Sequence, residues 1–402
     1  MTVSSRDFIQ AVSVGRPPNI QHLFPNSKAL LVSGKFIDLA MMEKKHAICM
    51  AANGRNAFVI RGALKAAQRA NSALIIEIAR SEGGANAYCA INYWNIARTV
   101  DAACNELGIT IPVALHADHY GLKSKADIPE AKVEIPTLFE AGITSIAIDA
   151  SHLPDDQNLL TNLELNPFIP DWSGLETEIG EIKGKLGLST KDEALFLIKG
   201  LNAHGIFPNW IALNNGTVHG IEASGQGIQV ALTQQIQIAN KTNTTKANVA
   251  TALQMISWGL KVNDDGNAAL DENSDFIKVA DQGVTDAMWA SMVAFASEKG
   301  WRGGNYKKLN LPFENKLLGL PKAIRARMEE RVESFVFNML VNVFNARDTA
   351  ELAIAAILEA DSFDPGPKAQ RIEDPQDWTA EKIIERAALI EGDKGPEGDF
   401  DD

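Results

Sequence analysis

The chain has 402 residues, 46% of them hydrophobic and 22% charged, which supplies enough apolar mass for a sizeable core and excludes disordered and fibrous classes. Its formal net charge of −13 argues against a nucleic-acid partner, because binding a phosphate backbone needs clustered Lys and Arg. No stretch approaches the roughly 20 consecutive apolar residues of a membrane span, and residues 1–18 do not read as a secretory leader, so no membrane partner and a cytoplasmic location are expected.

In chain order, short β-branched runs at residues 46–52, 73–79, 111–116, 144–149, 174–179, 209–213 and 245–250 are each followed by a helical pattern. This alternation predicts βαβ units and a parallel sheet. Most runs end in polar residues: Asn53, Ser81, His116 to His119, Asp149, Glu178, Asn214 and Asn248. In parallel α/β architectures, active sites assemble at that end of the strands. The count is seven runs where a closed barrel wants eight. The roughly 31 residues between Asn214 and Lys246 hold one crossover but not two.

Past Ala250 the pattern turns helical, with helices expected over 287–298, 322–345 and 348–360. The charged stretch 322–333 reads as a solvated helix face, with an arginine reaching a substrate phosphate as the other reading. The expected organisation is a (β/α) barrel over 1–285, a helical extension packed on it over 286–390, and an acidic disordered tail over 391–402. The three scattered cysteines, Cys49, Cys89 and Cys104, read as buried small hydrophobes.

Four segments carry candidate chemistry. His116-Ala117-Asp118-His119 ends an apolar run, where imidazoles and a carboxylate can ligate a metal or move a proton, or else cap the strand. His219 lies between glycines in Gly216-Thr217-Val218-His219-Gly220, and alone it is as readily structural as metal-ligating. Glu176 and Glu178 alternate and so share a strand face, with Glu181 following in a glycine-flanked segment that could move; a solvated surface strand is the plain alternative. Asp149 ends a wholly apolar run, as a helix N-cap or as a carboxylate beside His119.

Together and in this order, these segments resemble class II fructose-bisphosphate aldolases, from about residue 47 to 249 and more weakly to about residue 360. The resemblance implies a (β/α)8 TIM barrel with a C-terminal helical extension, and a carbon–carbon lyase of glycolysis and gluconeogenesis. Its reaction would be reversible cleavage of fructose 1,6-bisphosphate to dihydroxyacetone phosphate and glyceraldehyde 3-phosphate. It further implies catalytic Zn2+, room for a second divalent metal, a phosphorylated sugar as partner, and a homo-oligomer of two or more chains. By resemblance Asp118 is the acid/base at the C4 hydroxyl and Glu181 the loop base that takes the proton from dihydroxyacetone phosphate. His119 and His219 are zinc ligands, Glu178 and Asp149 are metal-site carboxylates, and Asn53, Ser81, Gly220 and Asn248 hold the substrate and its phosphate. Zinc acting as a Lewis acid removes the need for a Schiff-base lysine.

The chain departs from the family in two places. The family's third zinc histidine stands in a His-Gly-x-Ser-Gly motif, and none of the seven histidines here (His22, His46, His116, His119, His152, His204, His219) lies in such a motif. Strand count and missing ligand both point to a lost βα unit near residues 235–242. Ala250 also stands where the family usually has an Asp. Three readings follow: an active aldolase in which His152, His204 or a carboxylate replaces the ligand; an inactive or impaired homologue retaining sugar-phosphate binding; or an aldolase for another ketose phosphate such as tagatose bisphosphate.

Overall fold

The computed structural model describes residues 4–85, 87–180, 188–213, 243–244, 247–248, 250–262, 269–271 and 276–390. Its centre is a parallel sheet of β1 (Met50–Asn53), β2 (Leu74–Ala79), β3 (Val113–Gly121), β4 (Ser145–Asp149), β5 (Gly174–Ile179), β6 (Trp210–Leu213), β7 (Asn243–Thr244) and β8 (Ala247–Asn248), in the order β7-β6-β5-β4-β3-β2-β1-β8. The strands β1, β2, β4 and β5 are buried along their whole length, as a parallel sheet covered on both faces requires. Amphipathic helices supply the outer cover: α1 (Ser5–Val14), α2 (Pro18–Leu23), α3 (Gly34–Lys44), α4 (Ala57–Ala70), the single turn α5 (Arg80–Gly83), α6 (Ile96–Leu107), α7 (Ile128–Glu140), α8 (Asp155–Leu165) and α9 (Lys191–Ala203).

Six of the seven expected strands form, with ends within a few residues of expectation, apart from β3, which runs on through the histidine motif to Gly121. The seventh is corrected. In place of one strand over 245–250 there is the two-residue β8, with β7 just before the expected stretch, and a helix, α10 (Ala250–Trp258), begins where the strand was expected to end. β7 pairs with β6 through Trp210↔Asn243 and Ile211↔Thr244, and β8 pairs with β1 through Met50↔Ala247 and Ala51↔Asn248. One short stretch of chain therefore touches both edges of the curled sheet. The described residues thus form a partial barrel of six full strands, and the eight full βα units of a (β/α)8 barrel are not seen among them. The expected gap near residues 235–242 lies outside the described residues.

Parallel neighbours in register point the same way, so the ladder Asn53↔Glu77↔His116↔Ser145↔Gly174 is one row of the inner face. Ala147↔Glu176↔Trp210 is the next. Ile76 turns outward, beside Gly54 and Ile60 of the α4 region. The floor is closed by the N-terminus of α3: a Cβ on Gly34 would meet Ser145 Oγ at 2.7 Å and Trp210 Cη2 at 2.9 Å. Glycine is what lets that backbone approach so closely.

Beyond β8 the chain is helical: α10, α11 (Asp286–Glu298), α12 (Asn310–Leu318), α13 (Lys322–Asn338), α14 (Thr349–Ala360) and α15 (Ala380–Ala387). The helix expected over 322–345 ends at Asn338 and continues as a π-helical turn, Met339–Val343. α13 lies on α4, where Arg61 and Lys65 both reach Glu329 at 2.8 and 2.5 Å. Arg331, in the stretch expected to be a solvated face, instead donates to the carbonyls of Ile256 and Leu260 at the end of α10. A second apolar cluster, built on Trp258, Met292, Tyr306, Phe313 and Met328, sits beside the main core. Cys49, Cys89 and Cys104 are free and buried.

On α12, Glu314 Oε2 has no hydrogen-bond partner among the described residues, and burial pushes the carboxyl up to about 7 from 4.5. An acid that holds its proton more tightly folded than unfolded loses stability for the fold as pH rises from its unfolded to its folded pKa. Stability should therefore fall between pH of about 4.5 and 7. Allowing for partial exposure, Glu314→Gln should restore on the order of 2 kcal/mol at pH 8 and nothing at pH 4. Urea midpoints of both proteins at the two pH values check this; equal midpoints at pH 8 would refute it.

Candidate active site

The carboxyl ends of β3, β4 and β5 converge on one spot. A strict strand would place Asp118 and His119 on opposite faces. The β3–β4 register shifts between Ala117 and Tyr120, and His119 takes φ +41°. This β-bulge with a left-handed, costly backbone for a non-glycine residue turns the imidazole inward. His119 Nδ1 lies 3.1 Å from Glu178 Oε2 and 3.5 Å from Asp149 Oδ2, and its Nε2 lies 4.0 Å from Asp118 Oδ2.

The surroundings fix each of these groups. Tyr93 Oη donates to the Asp118 carbonyl at 3.1 Å, and Arg80 donates to the Gly121 carbonyl at 2.9 Å. Arg80 also bonds Glu134 at 3.1 Å and stacks on the Tyr120 ring, whose hydroxyl donates to Glu134 at 2.5 Å. The bulge is thereby held from both ends. Asp149 Oδ1 accepts from Ser151 N and Oγ at 3.1 and 2.6 Å, which aims Oδ2 at His119. Asn158 Nδ2 holds the Glu178 carbonyl at 2.8 Å.

The charges are strongly coupled. Burial opposes a charge on His119, but the Asp118 and Glu178 carboxylates outweigh it and hold the imidazole well above its usual range. Burial and repulsion from Asp149 push Glu178 up to about 7, although His119 pulls it down. Asp149 is also buried, yet its bonds to His119 and Ser151 lower it to about 2. His119, Asp149 and Glu178 offer ligand atoms all within 4.8 Å of one another. The spacing between the His119 and carboxylate atoms suits a divalent metal, since bonds of ~2.1 Å in a tetrahedral site set neighbouring ligands roughly 3.4 Å apart.

Deeper in the barrel, His116 is fully buried with Nδ1 2.8 Å from Ser145 Oγ and Nε2 3.1 Å from Glu176 Oε2. Glu176 and Glu178 do share a face, and both are buried rather than solvated. Asn53 is buried at the end of β1, whereas Ser81 is exposed on α5. Asn248 lies on β8, paired beside β1. Glu181, His219 and Gly220 fall outside the described residues. Of the histidines proposed to replace the missing ligand, His204 faces away, with Nε2 3.0 Å from the Trp378 carbonyl. His152 sits in the turn after β4 and contributes to lowering Asp149.

Reading the sequence alone missed a buried trio beside Asn53. Arg55 Nε donates to Glu82 Oε1 at 2.8 Å, Arg55 Nη2 reaches the same oxygen, and Asn53 Nδ2 donates to Glu82 Oε2 at 2.5 Å. Its signal was present, since Asn53-Gly54-Arg55 starts on the last residue of β1 and Ser81-Glu82-Gly83 starts two residues past the end of β2.

Fold and site define an α/β protein with a metal-type donor set at the carboxyl edge of a partly closed parallel barrel. A sequence model of the family "Fructose-bisphosphate aldolase class-II" matches residues 38–240, half of the chain. The chain belongs to the class II fructose-bisphosphate aldolase family. It is similar to the fructose-bisphosphate aldolase of Streptococcus pneumoniae serotype 4, 30% identical over 188 residues, covering 40% of this chain and 61% of that protein. The enzyme of that name from Staphylococcus aureus strain N315 is 32% identical over 123 residues, 30% of this chain and 38% of that one. The matches thus span under two thirds of these relatives. Among solved structures, the YdjI aldolase of Escherichia coli K12 aligns with TM-score 0.47 and 15% identity over 79% of this chain and 97% of its own. The fructose-bisphosphate aldolase of Campylobacter jejuni aligns with TM-score 0.46 and 17% identity, over 80% and 97%.

Proposed function

We propose that the chain is a metal-dependent aldolase that reversibly cleaves fructose 1,6-bisphosphate to dihydroxyacetone phosphate and glyceraldehyde 3-phosphate. The observation that carries the reading is the meeting of His119, Asp149 and Glu178 beside Asp118. One imidazole and two carboxylates suit Zn2+ or a similar divalent ion, and His219 is the proposed further ligand. The two carboxylates answer the missing third histidine, and Asp149 also suits a second divalent ion. When bound, the metal would polarise a ketone carbonyl.

The protein's own groups do the rest. Asp118 lies 4.0 Å from the imidazole and is almost wholly buried, which supports assigning it the proton of the C4 hydroxyl, taken during cleavage and returned during condensation. Glu181 is assigned the proton of the dihydroxyacetone phosphate half. Asn53, Ser81, Gly220 and Asn248 are assigned to the substrate. The working form is proposed to be a cytoplasmic homo-oligomer, in which residues 1–285 carry the site, 286–390 buttress it and 391–402 form a tail. Among the described residues no helix is long and apolar enough to cross a membrane.

The testing experiment is cleavage of fructose 1,6-bisphosphate in a coupled assay, with zinc counted on the same sample before and after chelation. Zinc-dependent turnover is expected. Zinc bound without turnover favours the second reading, an impaired homologue, for which the absent histidine motif speaks. Turnover confined to tagatose bisphosphate would transfer the reaction to that substrate.

A further inference from the structure

The backbone that brings His119 to the carboxylates is not the one that β3 would adopt unaided. An extended residue at 119 would send the ring to the outer face, away from Glu178 and Asp149, and a φ of +41° is costly for a residue with a Cβ. Groups outside the strand have to hold it. On one side of His119 the Asp118 carbonyl accepts from the Tyr93 hydroxyl at 3.1 Å, and on the other the Gly121 carbonyl accepts from Arg80 Nη1 at 2.9 Å. Tyr93 is fixed by complete burial. Arg80 is only half-buried, and Glu134 on α7 is what fixes it.

Glu134 Oε2 accepts from Arg80 Nη2 at 3.1 Å and from the Tyr120 hydroxyl at 2.5 Å, while the Arg80 guanidinium lies 4.5 Å over the Tyr120 ring. Burial and the bond to Glu134 push the Tyr120 hydroxyl up, so it stays a donor. One carboxylate oxygen thus ties both the residue that follows His119 and the cation that holds Gly121. The other acid near Arg80, Glu130, stands 3.7 Å away and is mostly exposed, which makes it a weak substitute.

We infer that Glu134 is a positioning residue for the metal site: through Arg80 and Tyr120 it keeps the bulge in the form that aims His119 at Glu178 and Asp149. This rests on the metal-site reading above and adds a control on it from an outer helix. Metal affinity then scales with the fraction of chains whose bulge is in that form. Without the carboxylate, β3 can return to plain alternation, and the imidazole leaves the donor set.

The test is titration of the metal-free full chain with Zn2+ and, separately, with Co2+, whose visible absorption is strong in a tetrahedral site and weak in an octahedral one. Glu134→Ala should weaken Zn2+ about ten-fold, a loss of ~1.4 kcal/mol, and dim the Co2+ band. Glu134→Gln keeps an acceptor oxygen for Arg80 and Tyr120 and should stay within about three-fold. Tyr120→Phe removes one of the two bonds, leaves Arg80 paired, and should fall between them. Because both residues act through one clamp, adding Arg80→Ala to Glu134→Ala should weaken Zn2+ little further. Urea midpoints on the same samples report folding. A merely structural role would lower the midpoints and leave Zn2+ affinity and the Co2+ band unchanged, which overturns the inference. Equal weakening by Glu134→Gln and Glu134→Ala overturns it too, since the charge alone would then be acting. If the unmutated chain binds neither ion, the metal-site reading fails and takes the inference with it.

Discussion

His119→Ala should abolish binding of the proposed divalent metal, whereas Asp118→Asn should keep metal binding and lower the proposed aldol cleavage by roughly 10²–10⁴-fold, the usual contribution of a positioned acid/base group. The two differ because of the geometry at the bulge. His119 Nδ1 faces Glu178 and Asp149 at 3.1 and 3.5 Å, so its removal takes away the sole nitrogen of the described donor set and leaves two buried carboxylates repelling each other. Asp118 stands on the other side of the ring. Its amide variant cannot accept a proton yet leaves the donor set whole. Metal counting and single-turnover kinetics on both variants separate the effects. An Asp118→Asn protein at full rate, or a His119→Ala protein with unchanged metal, would remove those roles.

Trp210→Ala should cost about 4 kcal/mol of folding stability, in the range for losing a buried aromatic side chain and leaving a cavity. Trp210 is 1% exposed and fills the lower barrel, edge-on to His116 with ring centroids 6.1 Å apart and against Gly34 at the floor. Trp210→Phe should cost under about 1.5 kcal/mol. The indole Nε1 has no hydrogen-bond partner among the described residues, so phenylalanine removes an unsatisfied donor while keeping most of the ring. Urea midpoints at an unchanged m-value measure both variants. A midpoint for Trp210→Phe as low as for Trp210→Ala would mean that the indole nitrogen has a partner.

Much of the sheet was legible because β1, β2 and β4 are short, largely apolar runs buried along their whole length, and such runs need no tertiary information to recognise. The site was legible only in its residue types. Alternation along β3 groups His116 with Asp118, as the structure keeps them beside Glu77, and sets His119 apart; the left-handed backbone at His119 brings its ring to Asp118 as well, and nothing in His116-Ala117-Asp118-His119 announces a bulge. His116 also meets Ser145 and Glu176 beneath the site. The trio of Asn53, Arg55 and Glu82 was missed because it joins the ends of two different strands, and pattern reading takes one strand at a time. The stretch 245–250 was read as one strand because it ends in an apolar pair, whereas among the described residues only Ala247 and Asn248 of it pair with β1, the pairing to β6 falls before it at Asn243 and Thr244, and Ala250 already starts a helix.

That divided pairing also sets how the molecule comes apart. Every contact from β1 to β6 along the sheet joins strands that follow one another in sequence, but the β1–β8 ladder joins Met50 to Ala247. Closing so long a loop carries the largest chain-entropy cost of any pairing in the sheet, and within the sheet only a two-residue ladder closes it, the rest of the closure lying outside the sheet where α13 packs on α4 and α14 on α3. Cooperative units with few bonds open first. The amides of β1 and β6 should therefore exchange with solvent through a hinge-like parting of the barrel at that seam, well before β2, β3 and β4 release theirs.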